Sequence, residues 1–327
     1  MKDIGSYIEL EFAKGMELFK DVPSSNILRL NTCRAAICHA VHCYGVKKVW
    51  IAKYQCDVVR DFLLNDGLEV YYYDINEEFN PLLDNNDENT AIVLTNYFGI
   101  LGDRHFDPLI SKYHNVIIDN AQALFYHPKN NCINCYSPRK FVGSPDGAYV
   151  IGKNVNKFDY EIDSSSNSAQ FLLMRYEYGC NGNGYKNKKE NDDRINNSKI
   201  KLMSPLTYAI LDSIDYDEIK EKRKKNYNYA RSILDISNKL DLEKISDPDC
   251  APMGYPYWQD FEIIPTFHKY HVYQARYWEH ILDEYTENDI EYKFAKYLAL
   301  LCIDQRYGKE EIDYQINIIN DIKNKKG

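Results

Sequence analysis

Apolar positions along the chain recur in two alternating spacings. Ile37, Ala40, Val41 and Tyr44 share one face of a helix, with Asn31 or Thr32 before it as N-cap. Residues 49–52 then form a short apolar strand. Residues 57–65 read as a helix closed by Asp66-Gly67, and residues 69–73 as another strand. Residues 91–95 and 116–118 are unbroken apolar runs, as expected for strands covered on both faces. Between them, Asp107-Pro108 is expected to start a helix that runs to Lys112. Residues 148–151 form a further strand. Strands separated by helices predict an α/β fold: a mainly parallel sheet flanked by helices, with right-handed crossovers.

The pattern changes after residue 178. Residues 179–201 are rich in Asn, Gly and Lys and read as a mobile loop or long connection. Ser204-Pro205 then offers a capping hydroxyl followed by Pro at the first helical position. The helical pattern that follows is interrupted near Asp215 and continues past Leu234. Its basic run, residues 220–225, reads as a solvated face. A Pro-containing passage, residues 247–256, leads into a last α+β segment. A length of 327 residues suggests two domains. The expected division is a large domain over residues 1–196, then a long helix plus a smaller C-terminal α+β domain over 197–327.

Composition narrows the function classes. Apolar residues are 44% and charged residues 27%, enough for a sizeable core. Forty basic against 49 acidic side chains leave a net charge of −9, which argues against nucleic-acid binding. The longest apolar run near the end, residues 297–303, is too short to cross a bilayer, so no membrane association is expected. The first residues carry early acids and no apolar signal core, and nine cysteines suit reduced thiols, so a cytoplasmic location is expected.

Candidate chemistry gathers at strand ends. Thr32, Cys33 and Arg34 stand where a loop enters a helix, and the free N–H groups there can hold a phosphate. A plain N-cap reading stays open. Asp119, in Asp119-Asn120-Ala121-Gln122, lies at the C-terminal end of a buried strand, where open α/β sheets bind ligands. A carboxylate there is expected to have a cationic partner. Lys140, in Cys135-Tyr136-Ser137-Pro138-Arg139-Lys140, stands beside a turn and before a Gly-containing strand entry, and can form a Schiff base if held in a cleft. Tyr54 could offer an aromatic face to a flat ring, and Asn96-Tyr97-Phe98-Gly99 could wall a pocket; core packing is the alternative for both. Together, a phosphate cradle, a buried acid, a turn lysine and an aromatic face make up the parts needed for pyridoxal 5'-phosphate.

At these residues the chain resembles the DegT/DnrJ/EryC1/StrS group of fold type I, pyridoxal-phosphate-dependent sugar aminotransferases. The most specific piece is Asp119-Asn120-Ala121-Gln122, with Lys140 coming 21 residues after the aspartate and Asp146-Gly147-Ala148 after that. The resemblance implies that Asp119 pairs with the pyridine nitrogen and Gln122 touches the phenolic-oxygen side. It implies that Lys140 carries the cofactor covalently and that Thr32 and Cys33 hold its phosphate. Cys135 stands where the group has a phosphate-binding Ser, and Arg34 adds positive charge. The resemblance also implies a homodimer that moves an amino group from an amino-acid donor to a nucleotide-linked keto sugar for surface polysaccharide synthesis. The alternatives are another pyridoxal-phosphate reaction on the same fold, or an inactive relic that binds a sugar nucleotide. No metal is expected: Cys132-x-x-Cys135 lacks a second pair at ligand spacing, and His39 and His42 read as structural.

Overall fold

The computed structural model describes residues 6–156, 158–181 and 183–325. The first five residues of the expected leaderless N-terminus lie outside them. Eight strands form one sheet: β1 (Ile27–Leu30), β2 (Lys48–Ala52), β3 (Glu69–Ile75), β4 (Pro81–Leu82), β5 (Thr90–Thr95), β6 (Val116–Asn120), β7 (Ile133–Tyr136) and β8 (Ala148–Ile151). Their order is β1-β8-β7-β6-β5-β2-β3-β4. The five neighbours from β7 to β3 are mutually parallel, and β8 runs antiparallel to both β1 and β7. The expected α/β architecture is therefore present. β1 runs in the same sense as β7, so the C-terminal ends of β1, β2, β5, β6 and β7 share one edge.

Helices α1 (Cys33–Tyr44), α2 (Asp57–Asn65) and α3 (Asp103–Lys112) connect these strands. Thr32 caps α1 by accepting the Ala35 N–H at 3.2 Å, and Gly45 closes it in the left-handed region at φ 72°. α3 begins at Asp103 rather than at Asp107-Pro108. Pro108 thus sits beyond the first turn, and the bond it cannot donate is lost on the exposed side of the helix, opposite the buried Phe106 and Leu109. One apolar cluster, from Leu28 to Val155, packs α1 against the sheet. A larger one joins the opposite face, from Ala52 to Ile118, to the C-terminal half as far as Ile322.

That C-terminal half begins with α4 (Gln170–Tyr178), α5 (Gly184–Asn196), α6 (Pro205–Asp212) and α7 (Tyr216–Leu234). Ser204 caps α6 and Asp215 caps α7, so the expected break near Asp215 is a helix boundary. A two-stranded antiparallel sheet of β9 (Tyr255–Trp258) and β10 (Leu298–Leu301) follows, with a last helix α8 (Lys309–Asn324). No described helix is long and apolar enough to cross a membrane.

Two expectations fail for reasons of tertiary contact. The basic run on α7 is not wholly solvated, because Arg223 is 2% exposed and donates to the carbonyls of Pro252, Met253 and Phe141. Residues 179–201 are not a loop throughout: most of them form α5. Lys188 and Asp192 pair at i,i+4, and the helix is tethered through Arg194 to the fully buried Asp146 at 2.6 Å and to Asp163 at 3.0 Å. Ser165 and Thr207 also donate to Asp146. Arg194→Met would leave that carboxylate buried without its cation. We expect a loss of about 3 kcal/mol in urea unfolding, the low end for an opened buried pair because Arg194 keeps some contact with solvent.

Candidate active site

The shared strand edge carries a compact set of polar side chains. Asp119 is the last residue but one of β6 and is 4% exposed. Its carboxylate accepts the Ala121 N–H at 2.9 Å, the Gln55 Nε2–H at 2.9 Å and the Cys33 thiol at 3.8 Å. Thr95, at the end of β5, donates to Gln55 Oε1 at 2.6 Å and so sets the direction of the Gln55 amide. The expected cationic partner is missing: among the described residues every donor to Asp119 is neutral. Three donors leave about one of the four acceptor directions of a carboxylate unused.

Lys140 lies in a short 3₁₀ turn, residues 138–140, directly after β7, and its side chain is exposed. Burial pushes the Cys33 thiol well up; Asp119 adds to that shift, while Lys140 and Arg34 act against it. One sulfur therefore feels the carboxylate and the amine together. Burial also raises the Cys56 thiol, and Lys140 again opposes the shift. Gln122 is 2% exposed; its Oε1 accepts the Phe98 N–H at 2.8 Å, and its Nε2 has no partner. The buried Nδ2 of Asn120 is also unpartnered.

A basic group lies around the N-terminus of α1. Burial lowers the Arg34 pKa, with Arg139 beside it acting in the same sense. Arg34 donates to Asn196 on α5, and Arg139 pairs with Asp192 on α5 at 2.5 Å. Against its burial, Lys188 and Arg139 hold the Asp192 carboxyl below its usual range. Two guanidinium groups and the opening N–H groups of a 12-residue helix can hold a phosphate. A flat ring with a phosphate tail and a protonated ring nitrogen fits the unspent capacity here: an unused acceptor direction on Asp119, an orphaned Gln122 amide and an exposed amine on Lys140.

Thr32, Cys33, Arg34, Asp119, Gln122 and Lys140 are thus gathered at one sheet edge. Cys135 lies beside them, in register with Asp119, but it is fully buried and packs with the α1 cluster. Its thiol sits under the cradle rather than in it. Tyr54 is a correction. It is fully buried, with its ring against Tyr97, Trp278 and Phe294 at centroid distances of 5.6, 4.5 and 5.5 Å. Neither ring face is left for a ligand. Tyr97 and Phe98 lie in the same core cluster, so the core-packing alternative holds for them as well. Sequence reading missed Gln55, Thr95 and Arg139. Gln55 is next to Tyr54 and Arg139 next to Lys140, so the signal was present one residue away.

No protein-family model and no curated protein matches the chain. Solved structures do match. A putative sugar aminotransferase from Streptococcus pneumoniae, in its PMP-form, superposes with a TM-score of 0.64 at 14% identity, covering 94% of this chain and 90% of its own. A sugar aminotransferase from Micromonospora echinospora gives 0.61 at 14% identity over 90% and 87%. A DegT DnrJ EryC1 StrS aminotransferase from Brucella abortus gives 0.60 at 11% identity over 90% and 85%. At these identities the likeness is one of fold, and it spans nearly the whole chain.

Proposed function

From the fold it shares with sugar aminotransferases, we propose that this chain is a pyridoxal-phosphate-dependent aminotransferase acting on a nucleotide-linked keto sugar. The observation that carries the proposal is Asp119, a buried carboxylate whose partners among the described residues are all neutral. Such a group is costly to keep unless a ligand supplies the positive charge. A protonated pyridine nitrogen is such a charge.

When bound, pyridoxal phosphate supplies an electron sink that accepts carbanion charge from the substrate. The chain's residues do the rest. Asp119 would accept the ring N–H and favour the cationic ring. The N–H groups at the start of α1, with Thr32, Arg34 and Arg139, would hold the phosphate. Gln122 Nε2 is free to donate to the phenolic oxygen. Lys140 Nζ would hold the cofactor through its aldehyde carbon, with water leaving, and as a free amine would serve as the base for the proton on the donor's α-carbon. Residues 1–196 would form the cofactor-binding part and residues 197–327 the remainder. A homodimer would cover the exposed Lys140 with a second subunit, as the resemblance implies. Surface polysaccharide synthesis in the cytoplasm is the proposed setting.

A second reading is an inactive sugar-nucleotide-binding relic. It is favoured by one observation: Asn196 and Asp192 on α5 already engage Arg34 and Arg139. The test is reconstitution with pyridoxal phosphate followed by addition of glutamate or glutamine. Conversion of the bound cofactor to its amine form, followed by absorption, is the expected result. Retained cofactor without conversion by any common amino acid would point to a different reaction on the same fold. Failure to retain cofactor would favour the relic.

A further inference from the structure

A second cluster of ligand-type side chains lies at the other end of α1, remote from the N-terminus just described. Cys38 and His42 are four residues apart on α1 and so share one face. Asp66, the residue that closes α2, points at them across the packed helix pair. Cys38 Sγ lies 3.6 Å from His42 Nε2, His42 Nε2 lies 2.6 Å from Asp66 Oδ2, and all three donor atoms fall within 4.8 Å of one another. Cys38 is fully buried, whereas the side chains of His42 and Asp66 are each 33% exposed. The group is a cup with sulfur at its base and nitrogen and oxygen at its rim.

We propose that Cys38, His42 and Asp66 form a binding site for a zinc-type divalent cation, with solvent completing the shell. This differs from the expectation that the α1 histidines are purely structural and that the chain holds no metal. One soft, one borderline and one hard donor suit zinc, which accepts all three in tetrahedral geometry. Zinc–ligand bonds of about 2.0–2.3 Å set neighbouring donors roughly 3.3–3.7 Å apart. The Cys38–His42 separation already lies in that range. His42 and Asp66 need to part by about 0.7 Å, and both are at the solvent-facing rim where such movement is cheap. On binding, the Cys38 thiol gives its proton to solvent. Thiolate and carboxylate then balance the two positive charges of the ion.

A neighbouring pair shows what a satisfied site looks like. His39 and Cys43 are also four apart, but His39 contacts Tyr160 through Nδ1 and the Val155 carbonyl through Nε2, so neither ring nitrogen is available. His42 Nε2 has no such backbone partner among the described residues and faces only the other two donors. A bound ion would tie the C-terminal half of α1 to the α2–β3 turn.

The test uses the full chain, stripped by chelator and dialysed against zinc alone, with metal content measured per chain. A parallel titration with cobalt reports thiolate ligation through its charge-transfer band. We expect about one zinc per chain and a cobalt–thiolate band. Both should be lost in Cys38→Ala and strongly weakened in Asp66→Asn, an exposed change that leaves the core intact. Cys180→Ser, an exposed cysteine far along the sequence, should change neither. Absence of bound zinc in the parent protein, or a thiolate band that survives Cys38→Ala in a folded protein, would overturn the proposal. None of these readouts depends on pyridoxal phosphate or on activity, so the proposed transamination can fail while the metal site stands.

Discussion

Lys140→Ala should remove the absorption band of the lysine-bound cofactor and reduce amino transfer by at least about 10⁴-fold. Proton transfer by a positioned side chain is itself worth roughly 10²–10⁴-fold, and in the proposed role the same amine would also make the covalent link. Lys140 is exposed and lies in a short turn, so its replacement should leave the unfolding midpoint nearly unchanged. Loss of activity without loss of stability is therefore the expected pattern. Added small primary amines should restore part of the rate, because they can carry the proton that the side chain no longer carries. A lysine-type band persisting in the variant would mean that another amine holds the cofactor.

Asp119→Asn should lower kcat/KM by about 10²–10³-fold, the usual effect of removing one preorganised charge at a reacting centre. The amide keeps the shape but no longer holds a proton on the pyridine nitrogen, so the electron sink weakens. The effect on stability should be modest, because the relieved desolvation is set against an amide Nδ2–H that meets a donor where the carboxylate offered an acceptor. The wild-type carboxylate is buried with neutral donors alone, and a neutral side chain there removes a desolvation cost. Activity is thus expected to fall far more than stability. Asp119→Asn with unchanged transamination, measured under saturating cofactor, would show that the ring nitrogen lies elsewhere.

How much of this was legible in the sequence differs from residue to residue. α2 (Asp57–Asn65) and β8 (Ala148–Ile151) were readable to their boundaries, since apolar spacing and a Gly turn or strand run marked them locally. Thr32 as N-cap and Asp119 at a strand end were equally local signals. The choice between Tyr54 and Gln55 was not. Both stand in the turn leaving β2, and only packing against Tyr97 and Trp278 decided that the ring goes inward while the amide reaches Asp119. The same holds for α5. Its composition reads as loop, yet Arg194 finds Asp146 and Asp163 from elements far away in sequence, and those contacts hold the helix.

The chain's order of strands and helices, and the residue types placed at each strand end, follow from periodicity and turn chemistry that operate over a few neighbours. Which of those residues meet follows from sheet order, because β1, β2, β5, β6 and β7 bring Thr32, Gln55, Thr95, Asp119 and Lys140 to one edge from positions up to 108 residues apart. Burial then assigns the partners: a carboxylate shut away from water has to be met by donors, and only the folded chain determines that these are an amide, a backbone N–H and a thiol rather than a cation.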